Sequence, residues 1–200
     1  MSPEADVAIV DSGGANLASL RYALDRLGAR SVVSSDAALI AAAPRVLLPG
    51  VGAAADAMGR LRASGLDRLI PQLRAPLLGI CLGMQLLFEH SAEGDTPCLG
   101  LIGRRIERLR AAPGLPVPHM GWNTLALRHQ DPLLEGIGPA DRLYFVHSFA
   151  AAVCADTLAS VHYGGELCAI VRRDNFRGVQ FHPERSSAAG ARILRNFLAL

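Results

Sequence analysis

A single cysteine lies where an apolar strand pattern changes to a helical one, in the segment Gly79-Ile80-Cys81-Leu82-Gly83. This Gly-x-Cys-x-Gly pattern predicts a nucleophile elbow, a sharp strand-to-helix turn that holds its central side chain exposed. The two glycines lack a Cβ atom, so the strand and the helix can approach closely around the turn. A thiol at the start of a helix is also favoured as the reactive thiolate. The alternative is a cysteine buried in a core strand, where most free cysteines lie.

A histidine and a glutamate suited to the same chemistry follow the last apolar strand pattern, in His182-Pro183-Glu184. Residues two apart in an extended segment point to the same side, so the imidazole and the carboxylate can face one site. The carboxylate can then hold the ring tautomer whose other nitrogen faces a nucleophile. The alternative is a surface turn that begins a helix.

A glycine-bearing loop, Pro49-Gly50-Val51-Gly52, follows an earlier apolar strand. Glycines on both sides of Val51 permit backbone torsions that aim a peptide N–H at a ligand. An ordinary turn between a strand and a helix explains the segment equally well.

These three segments contain the parts of a Cys–His–Glu hydrolase, with Cys81 as nucleophile, His182 as base and Glu184 as its orienting group. The oxyanion donors would be the N–H of Leu82, directly after the nucleophile, and the N–H of Val51 in the glycine loop. The combination predicts acyl transfer through a thioester and does not specify the acyl group.

The elements that position these residues alternate along the first half of the chain. Apolar runs predict buried strands at residues 7–10, 31–34, 45–48 and 77–81, with helical patterns between them. This alternation predicts an α/β fold, a mostly parallel twisted sheet with helices on both faces. Active sites in such sheets lie at the carboxyl ends of strands, where both Cys81 and the glycine loop occur.

The second half predicts an antiparallel extension of the same sheet. A Gly164-Gly165 pair between two strand patterns indicates a hairpin, and residues 175–181 form the last predicted strand. The elbow helix is predicted to run on through the apolar residues after Leu82, and Trp122 is predicted to lie in a loop after a proline-broken connection. A closing helix begins at Ser186 or Ser187, one of which is its N-cap.

Composition excludes several other classes of function. Two hundred residues that are 50% hydrophobic and 19% charged predict one globular domain over residues 1–200. The net charge of +2 gives no reason to expect nucleic acid or a membrane as partner. All 20 basic residues are arginine, which excludes a Walker-type phosphate loop and a Schiff-base lysine. The four cysteines lack paired metal or disulfide spacing, so we expect neither a zinc site nor a disulfide framework. We also expect no other metal and no cofactor. We expect no signal peptide and no membrane span, hence a cytoplasmic protein.

The elbow, the glycine loop and the His-Pro-Glu segment resemble the three signatures of class I (triad-type) glutamine amidotransferases. The chain is more narrowly similar to the glutaminase subunits of imidazole glycerol phosphate synthases, from residue 7 to residue 200. The narrower resemblance rests on the segments 118–123 (Pro-His-Met-Gly-Trp-Asn), 144–148 and 178–186. Phe149 stands where a tyrosine is common in the family, and Ala15 where a glycine is common.

The resemblance implies a flavodoxin-like amidotransferase fold and hydrolysis of L-glutamine to glutamate and ammonia. It also implies a heterodimer with a (β/α)8-barrel cyclase, which uses the ammonia to make imidazole glycerol phosphate in histidine biosynthesis. The glutamine contacts implied are Gly50, Gly52, Gln85, Ser148 and Phe149. The partner surface implied is His119, Met120, Gly121, Trp122, Asn123 and Arg185.

Two alternatives remain open on the sequence. The chain could be another class I amidotransferase subunit or a free γ-glutamyl hydrolase, which shares the triad and lacks the 118–123 segment. It could also be a non-catalytic protein of the same fold in which Cys81 is a redox sensor. A sensor needs a reactive thiol and has no use for a histidine–glutamate pair, which favours an enzyme.

Overall fold

The computed structural model describes residues 5–12 and 17–200. The family departure noted at Ala15 lies outside these residues. The helices are α1 (Leu17–Arg26), α2 (Ala37–Ala42), α3 (Ala54–Ala63), α4 (Leu66–Leu69), α5 (Leu82–Gln85) and α6 (Ser187–Leu198). The strands are β1 (Val7–Val10), β2 (Ser31–Ser34), β3 (Val46–Gly50), β4 (Leu77–Cys81), β5 (Phe88–Ser91), β6 (Thr96–Pro97), β7 (Ile102–Arg108), β8 (His119–Thr124), β9 (Ala126–Leu127), β10 (Arg142–His147), β11 (Phe149–Ala151), β12 (Thr157–His162), β13 (Glu166–Arg173) and β14 (Phe176–Val179).

A central sheet runs in the order β2-β1-β3-β4-β14-β13-β12-β9. The first five strands of this order are parallel, and the last three are joined antiparallel. The predicted parallel sheet with an antiparallel extension is confirmed. Two smaller sheets have the orders β10-β8 and β11-β7-β5-β6. No helix in the described ranges is long and apolar enough to cross a membrane.

Two hydrophobic cores cover the opposite faces of the central sheet. In β1, Val7 and Ile9 belong to one core and Ala8 and Val10 to the other, as the alternation of side chains along a strand requires. On the first face α1 and α6 contribute Leu20, Leu24, Ile193 and Phe197. On the second face α2, α3 and α4 contribute Ile40, Met58, Leu61 and Leu66. Strands covered on both faces explain the continuous apolar runs in the sequence.

Two local predictions were wrong, both because of pairing with distant residues. Trp122 lies in strand β8, where it pairs antiparallel with Tyr144 of β10. The elbow helix α5 is only four residues long, and the chain then enters strand β5. The carbonyl groups of Leu86, Leu87 and Phe88 accept hydrogen bonds from the backbone of residues 99–102. The helical spacing of apolar residues in this segment indicates that their side chains are buried, but it does not determine the backbone conformation. The backbone hydrogen bonds to residues 99–102 make the chain a strand after α5.

A buried ion cluster ties the 131–134 turn to strands β13 and β14. The Asp131 side chain is fully buried, and its Oδ1 and Oδ2 accept hydrogen bonds at 2.9 and 3.0 Å from the buried Arg177. Arg172, which is partly exposed, donates to Oδ2 at 3.0 Å. Burial opposes the charge on Asp131, but Arg177, the Leu133 N–H and Arg172 outweigh it and lower the pKa of the carboxyl group.

We expect Asp131→Ala to lower the free energy of unfolding by about 3–5 kcal/mol, because it leaves the buried Arg177 without its counter-charge. Urea denaturation measures this, with the exposed Asp25→Ala as control, for which less than about 0.5 kcal/mol is expected. Since folding lowers the carboxyl pKa, the contribution of Asp131 is present above the pKa of the unfolded chain. It is lost as the pH falls through the folded value. Equal losses in the two variants would show that the cluster contributes nothing net.

Candidate active site

Cys81 lies at the sharp turn between β4 and α5. Its backbone has φ 54° and ψ −112°, a combination that costs a residue with a side chain conformational energy. Glycines make the turn possible, because a Cβ atom on Gly83 would overlap the carbonyl of Leu48, and one on Gly79 would lie 2.6 Å from the Gly83 oxygen. The flanking glycines of the sequence pattern therefore serve the close approach of β4, α5 and β3.

The histidine and the glutamate predicted as a catalytic pair are in contact, but through a 3₁₀ turn (Pro183–Arg185) and not through the predicted extended segment. His182 Nδ1 lies 2.8 Å from Glu184 Oε1, and both side chains are about nine-tenths buried. The carboxylate accepts a hydrogen bond from the Nδ1–H group, which leaves the other ring nitrogen for Cys81. The carbonyl of His182 accepts a hydrogen bond from Ser186 Oγ at 2.6 Å, and its N–H donates to the Tyr144 carbonyl at 2.9 Å. Ser186 is the N-cap of α6 as predicted, but its hydroxyl holds His182 in place and makes no capping bond.

The charge state of His182 follows from its neighbours. Burial opposes a positive charge on the ring, but the hydrogen bonds to Cys81 and Glu184 and their negative charges outweigh it and raise the pKa of His182 to about 10. The imidazole is therefore protonated at neutral pH. An imidazolium beside a thiol stabilises the thiolate, which is the nucleophilic form.

Three neighbouring strands bring these groups together. The glycine loop ends β3, Cys81 ends β4 and His182 comes shortly after β14, and these strands are adjacent and parallel in the central sheet. Because parallel strands place their carboxyl ends at one edge, residues far apart in sequence meet there.

The glycine loop packs directly against the elbow. A Cβ atom on Gly50 would lie 2.9 Å from the Gly83 nitrogen and 3.0 Å from the Leu82 Cβ, so only glycine fits. Gly52 has φ +89°, a conformation that favours glycine. Ser12 Oγ donates to the Pro49 carbonyl at 2.8 Å and anchors the start of the loop.

A cavity of about 390 Å³ opens over Cys81 and His182. It is lined by Val51, Gly52, Cys81, Leu82, Gln85, Glu93, Pro118, Val146, His147, Ser148, Phe149 and His182. Gly50 is the predicted glutamine contact that does not line this cavity. It lies beneath the elbow, where close packing with Gly83 explains why it is a glycine. A larger cavity of about 640 Å³ runs along residues 127–135, away from this chemistry.

Sequence reasoning missed three polar side chains of the site, Gln180, Glu93 and His147. The buried Gln180 points its Nε2 at Cys81 Sγ from 3.9 Å and accepts a bond from Gln85 at 3.0 Å. Gln180 falls within the last predicted strand, two residues before His182, and this spacing was a signal that the two side chains share one side. Glu93 accepts a bond from the Ala54 N–H at 2.8 Å and lines the cavity. A lone glutamate in a connecting segment carried no such signal.

The predicted partner surface is only partly exposed. Met120 and Trp122 are 61% and 48% exposed. Trp122 lies edge-on to Tyr144 at 5.9 Å, and the guanidinium of the exposed Arg185 lies 4.7 Å from the centre of the same ring. His119 was predicted on this surface and is buried, because side chains alternate along β8 and position 119 faces inward. Gly121 and Asn123 are half-buried.

Comparison with known proteins identifies the family. Residues 8–200 match the family model described as glutamine amidotransferase class-I. A protein of Xanthomonas axonopodis pv. citri (strain 306) named imidazole glycerol phosphate synthase subunit HisH is 54% identical over 195 residues, 98% of each chain. A HisH protein of Xylella fastidiosa (strain Temecula1) is 52% identical over the same length, again 98% of each chain. The chain belongs to the HisH family of class I glutamine amidotransferases. The resemblance drawn from the sequence motifs is confirmed.

Solved structures show the same fold. A putative GMP synthase component of Thermoplasma acidophilum superposes with a TM-score of 0.75 at 19% identity, over 100% of this chain and 94% of that one. A protein described as a glutamine amidotransferase gives a TM-score of 0.75 at 20% identity, over 96% and 97% of the two chains. At these identities the likeness concerns the fold alone, and it agrees with the predicted fold class.

Proposed function

We propose that residues 1–200 form one glutaminase domain that hydrolyses L-glutamine to glutamate and ammonia through a thioester on Cys81. The observation that carries this proposal is the assembly of Cys81, His182 and Glu184 at the carboxyl edge of the sheet, under a cavity of about 390 Å³. Membership of the HisH family agrees with it.

The reaction follows from the charges of the site. The Cys81 thiolate attacks the side-chain amide carbon of glutamine, and the N–H groups of Leu82 and Val51 stabilise the oxyanion. His182 donates its proton to the departing nitrogen as the carbon–nitrogen bond breaks, and ammonia leaves. The neutral ring then accepts a proton from water as it attacks the thioester. Glutamate leaves, and the thiolate–imidazolium pair returns.

The rest of the cavity suits the other end of the substrate. The Glu93 carboxylate offers an acceptor for the α-ammonium group, and the backbone of Gly52, Ser148 and Phe149 offers donors for the α-carboxylate. Gln85 uses its amide nitrogen on protein acceptors, so it supports the wall of the cavity.

We further propose that the ammonia passes to a cyclase partner with a (β/α)8 barrel, in a cytoplasmic heterodimer that makes imidazole glycerol phosphate for histidine biosynthesis. The relatives are named as subunits, which supports a partner. An exposed apolar and cationic group, Met120, Trp122 and Arg185, offers a contact surface. Ammonia released into water at neutral pH becomes protonated, so direct transfer preserves its reactivity.

Partner binding is expected to switch on the oxyanion hole through the peptide at Val51. Loss of one oxyanion donor reduces turnover by about 10²–10³-fold, so a peptide flip at this position would hold the isolated chain inactive. We expect glutamate release to be slow for the chain alone, faster with the cyclase and fastest with the cyclase and its acceptor. Val51→Pro removes the N–H and should abolish the response, whereas Val51→Ala keeps the N–H and should retain it.

Glutamate release by these three mixtures also separates the alternative functions. A free γ-glutamyl hydrolase would turn over equally in all three, and a redox sensor would release no glutamate in any. Equal turnover would also show that the oxyanion hole is permanently assembled.

A further inference from the structure

Two buried histidines outside the catalytic pair form a hydrogen-bonded row beside the cavity. His119 of β8 and His147 of β10 lie opposite each other in the strand register, and they are 3% and 5% exposed. His119 Nδ1 lies 3.0 Å from His147 Nε2. His147 Nδ1 lies 2.9 Å from the carbonyl oxygen of Phe149. The proposed mechanism uses neither ring.

Both rings are neutral at physiological pH. Burial lowers the pKa of His119 to about 4. Burial lowers the pKa of His147 to about 4, against the opposing effect of its bond to Phe149. Repulsion by His182, and by His119 when it is protonated, acts in the same direction as burial. A neutral imidazole has one donor nitrogen and one acceptor nitrogen.

The carbonyl at the end of the row determines both tautomers. The Phe149 oxygen can only accept, so His147 carries its proton on Nδ1 and accepts on Nε2. His119 must then donate from Nδ1, which leaves its Nε2 as an acceptor. The Asn123 amide nitrogen lies 3.5 Å from His119 Nε2. The orientation of the Asn123 amide group is fixed because its Oδ1 accepts a hydrogen bond from the Thr124 N–H at 2.8 Å. Stacking of His119 on Phe145 and Tyr163 holds the ring plane.

The Phe149 carbonyl also connects this row to the nucleophile. Gln85 Nε2 donates to the same oxygen at 2.8 Å and to Gln180 Oε1 at 3.0 Å. Gln180 in turn faces Cys81. Two donors, from β10 and from the elbow helix, therefore fix one carbonyl in the cavity wall.

We propose that His147 is a positioning residue for glutamine binding, which fixes the Ser148–Phe149 wall of the cavity while His119 holds its tautomer. The proposal rests on the proposed glutaminase function. Both nitrogens of His147 are engaged by the protein, so the ring has no free atom with which to replace His182 as the base. Its effect is therefore on substrate binding and not on proton transfer.

Two substitutions test whether the hydrogen bond donated by His147 Nδ1 matters, independently of the imidazole ring. His147→Leu removes the donor, whereas His147→Asn places an amide nitrogen near the position of Nδ1. We expect His147→Leu to raise the KM for glutamine about tenfold, with kcat in the cyclase complex within about threefold of the parent. His147→Asn should bring KM back to within about threefold of the parent. His129→Leu, at an exposed histidine, is the matched control and should leave both constants unchanged.

Alkylation of Cys81, followed by mass spectrometry, tests the same point on the chain without its partner. His147→Leu should slow labelling by a glutamine-mimicking electrophile and leave labelling by iodoacetamide, which does not use the cavity wall, at the parent rate. An unchanged KM, no recovery in His147→Asn, or equal slowing of both reagents would overturn the proposal. Failure of the glutamine mimic to label Cys81 in the parent, both alone and in the cyclase complex, would instead contradict the glutaminase function.

The tautomers provide a measurement that needs no variant. Nitrogen NMR of the histidine rings at neutral pH should show His119 and His147 as neutral Nδ1–H tautomers. An Nε2–H tautomer at His147 would break the bond to Phe149 and overturn the proposal, even if His147→Leu fails to fold.

Discussion

Cys81→Ala is expected to abolish glutamate release, by at least about 10⁴-fold, while the fold is retained. The substitution removes the sulfur that lines the cavity next to His182 and Gln180, and alanine is small enough for the elbow. Initial rates of glutamate release measure the loss, and circular dichroism checks the fold. A glutamine-mimicking electrophile should label the parent chain at this position.

The other three cysteines are matched controls. Burial raises the pKa of the Cys98 thiol to about 11 and that of Cys168 to about 12, which keeps both as unreactive thiols. Cys154 lies outside the cavity lining, with its sulfur beside the Thr157 hydroxyl at 3.5 Å. Alanine at any of the three should leave glutamate release intact. Labelling at one of them with Cys81 unmodified would contradict the assignment of the nucleophile.

His182→Ala is expected to lower kcat by at least about 10²-fold, because the departing ammonia loses its proton donor and the attacking water loses its base. Glu184→Gln should have a comparable or milder effect, since the carboxylate orients the ring and does not take the proton. The exposed pair His162 and Glu166, 3.3 Å apart, provides the control. His162→Ala should change kcat by less than about twofold.

The pH profile of kcat distinguishes an orienting carboxylate from a structural one. With the pKa of His182 at about 10, the ring keeps its proton and turnover should hold from neutral pH to about pH 9. The Glu184 carboxylate helps to raise that pKa, so Glu184→Gln should move the alkaline fall in kcat to lower pH. An unshifted profile, or near-normal turnover in His182→Ala, would mean that the pair is only structural.

Residue types and their spacing were enough to predict the elbow and the class of fold. Part of the elbow is a local structure, because Gly79 faces the carbonyl of Gly83 only four residues later. Gly83 itself faces the Leu48 carbonyl of β3, which is a contact between distant residues. The parallel sheet follows from apolar runs that are long enough to be covered on both faces. The triad could be named from residue types, but the reason given for its geometry was wrong. Residues Pro183–Arg185 form a 3₁₀ turn, and this turn brings the Glu184 carboxylate to the His182 ring.

Long-range packing determines which of the named residues face the site. Gly50 supports the elbow because the chain of β3 runs against α5, and Gln180 and His147 join the network because β14 and β10 bring them to it. His119 faces inward because pairing with β10 makes residues 119–124 a strand, in which side chains alternate between the two faces. The prolines and the glycine near this segment had predicted a loop instead.

The adjacency of β3, β4 and β14 in the central sheet also depends on the whole fold. The strand order depends on hydrogen bonds between segments far apart in the chain and on the packing of helices over both faces. Residue spacing along a chain reports local conformation, but neighbour order in a sheet is set by the free energy of the whole assembly. The amino-acid sequence was therefore enough to predict which residues carry the chemistry. That Cys81, the glycine loop and His182 line one cavity follows from the strand order, which the sequence does not show.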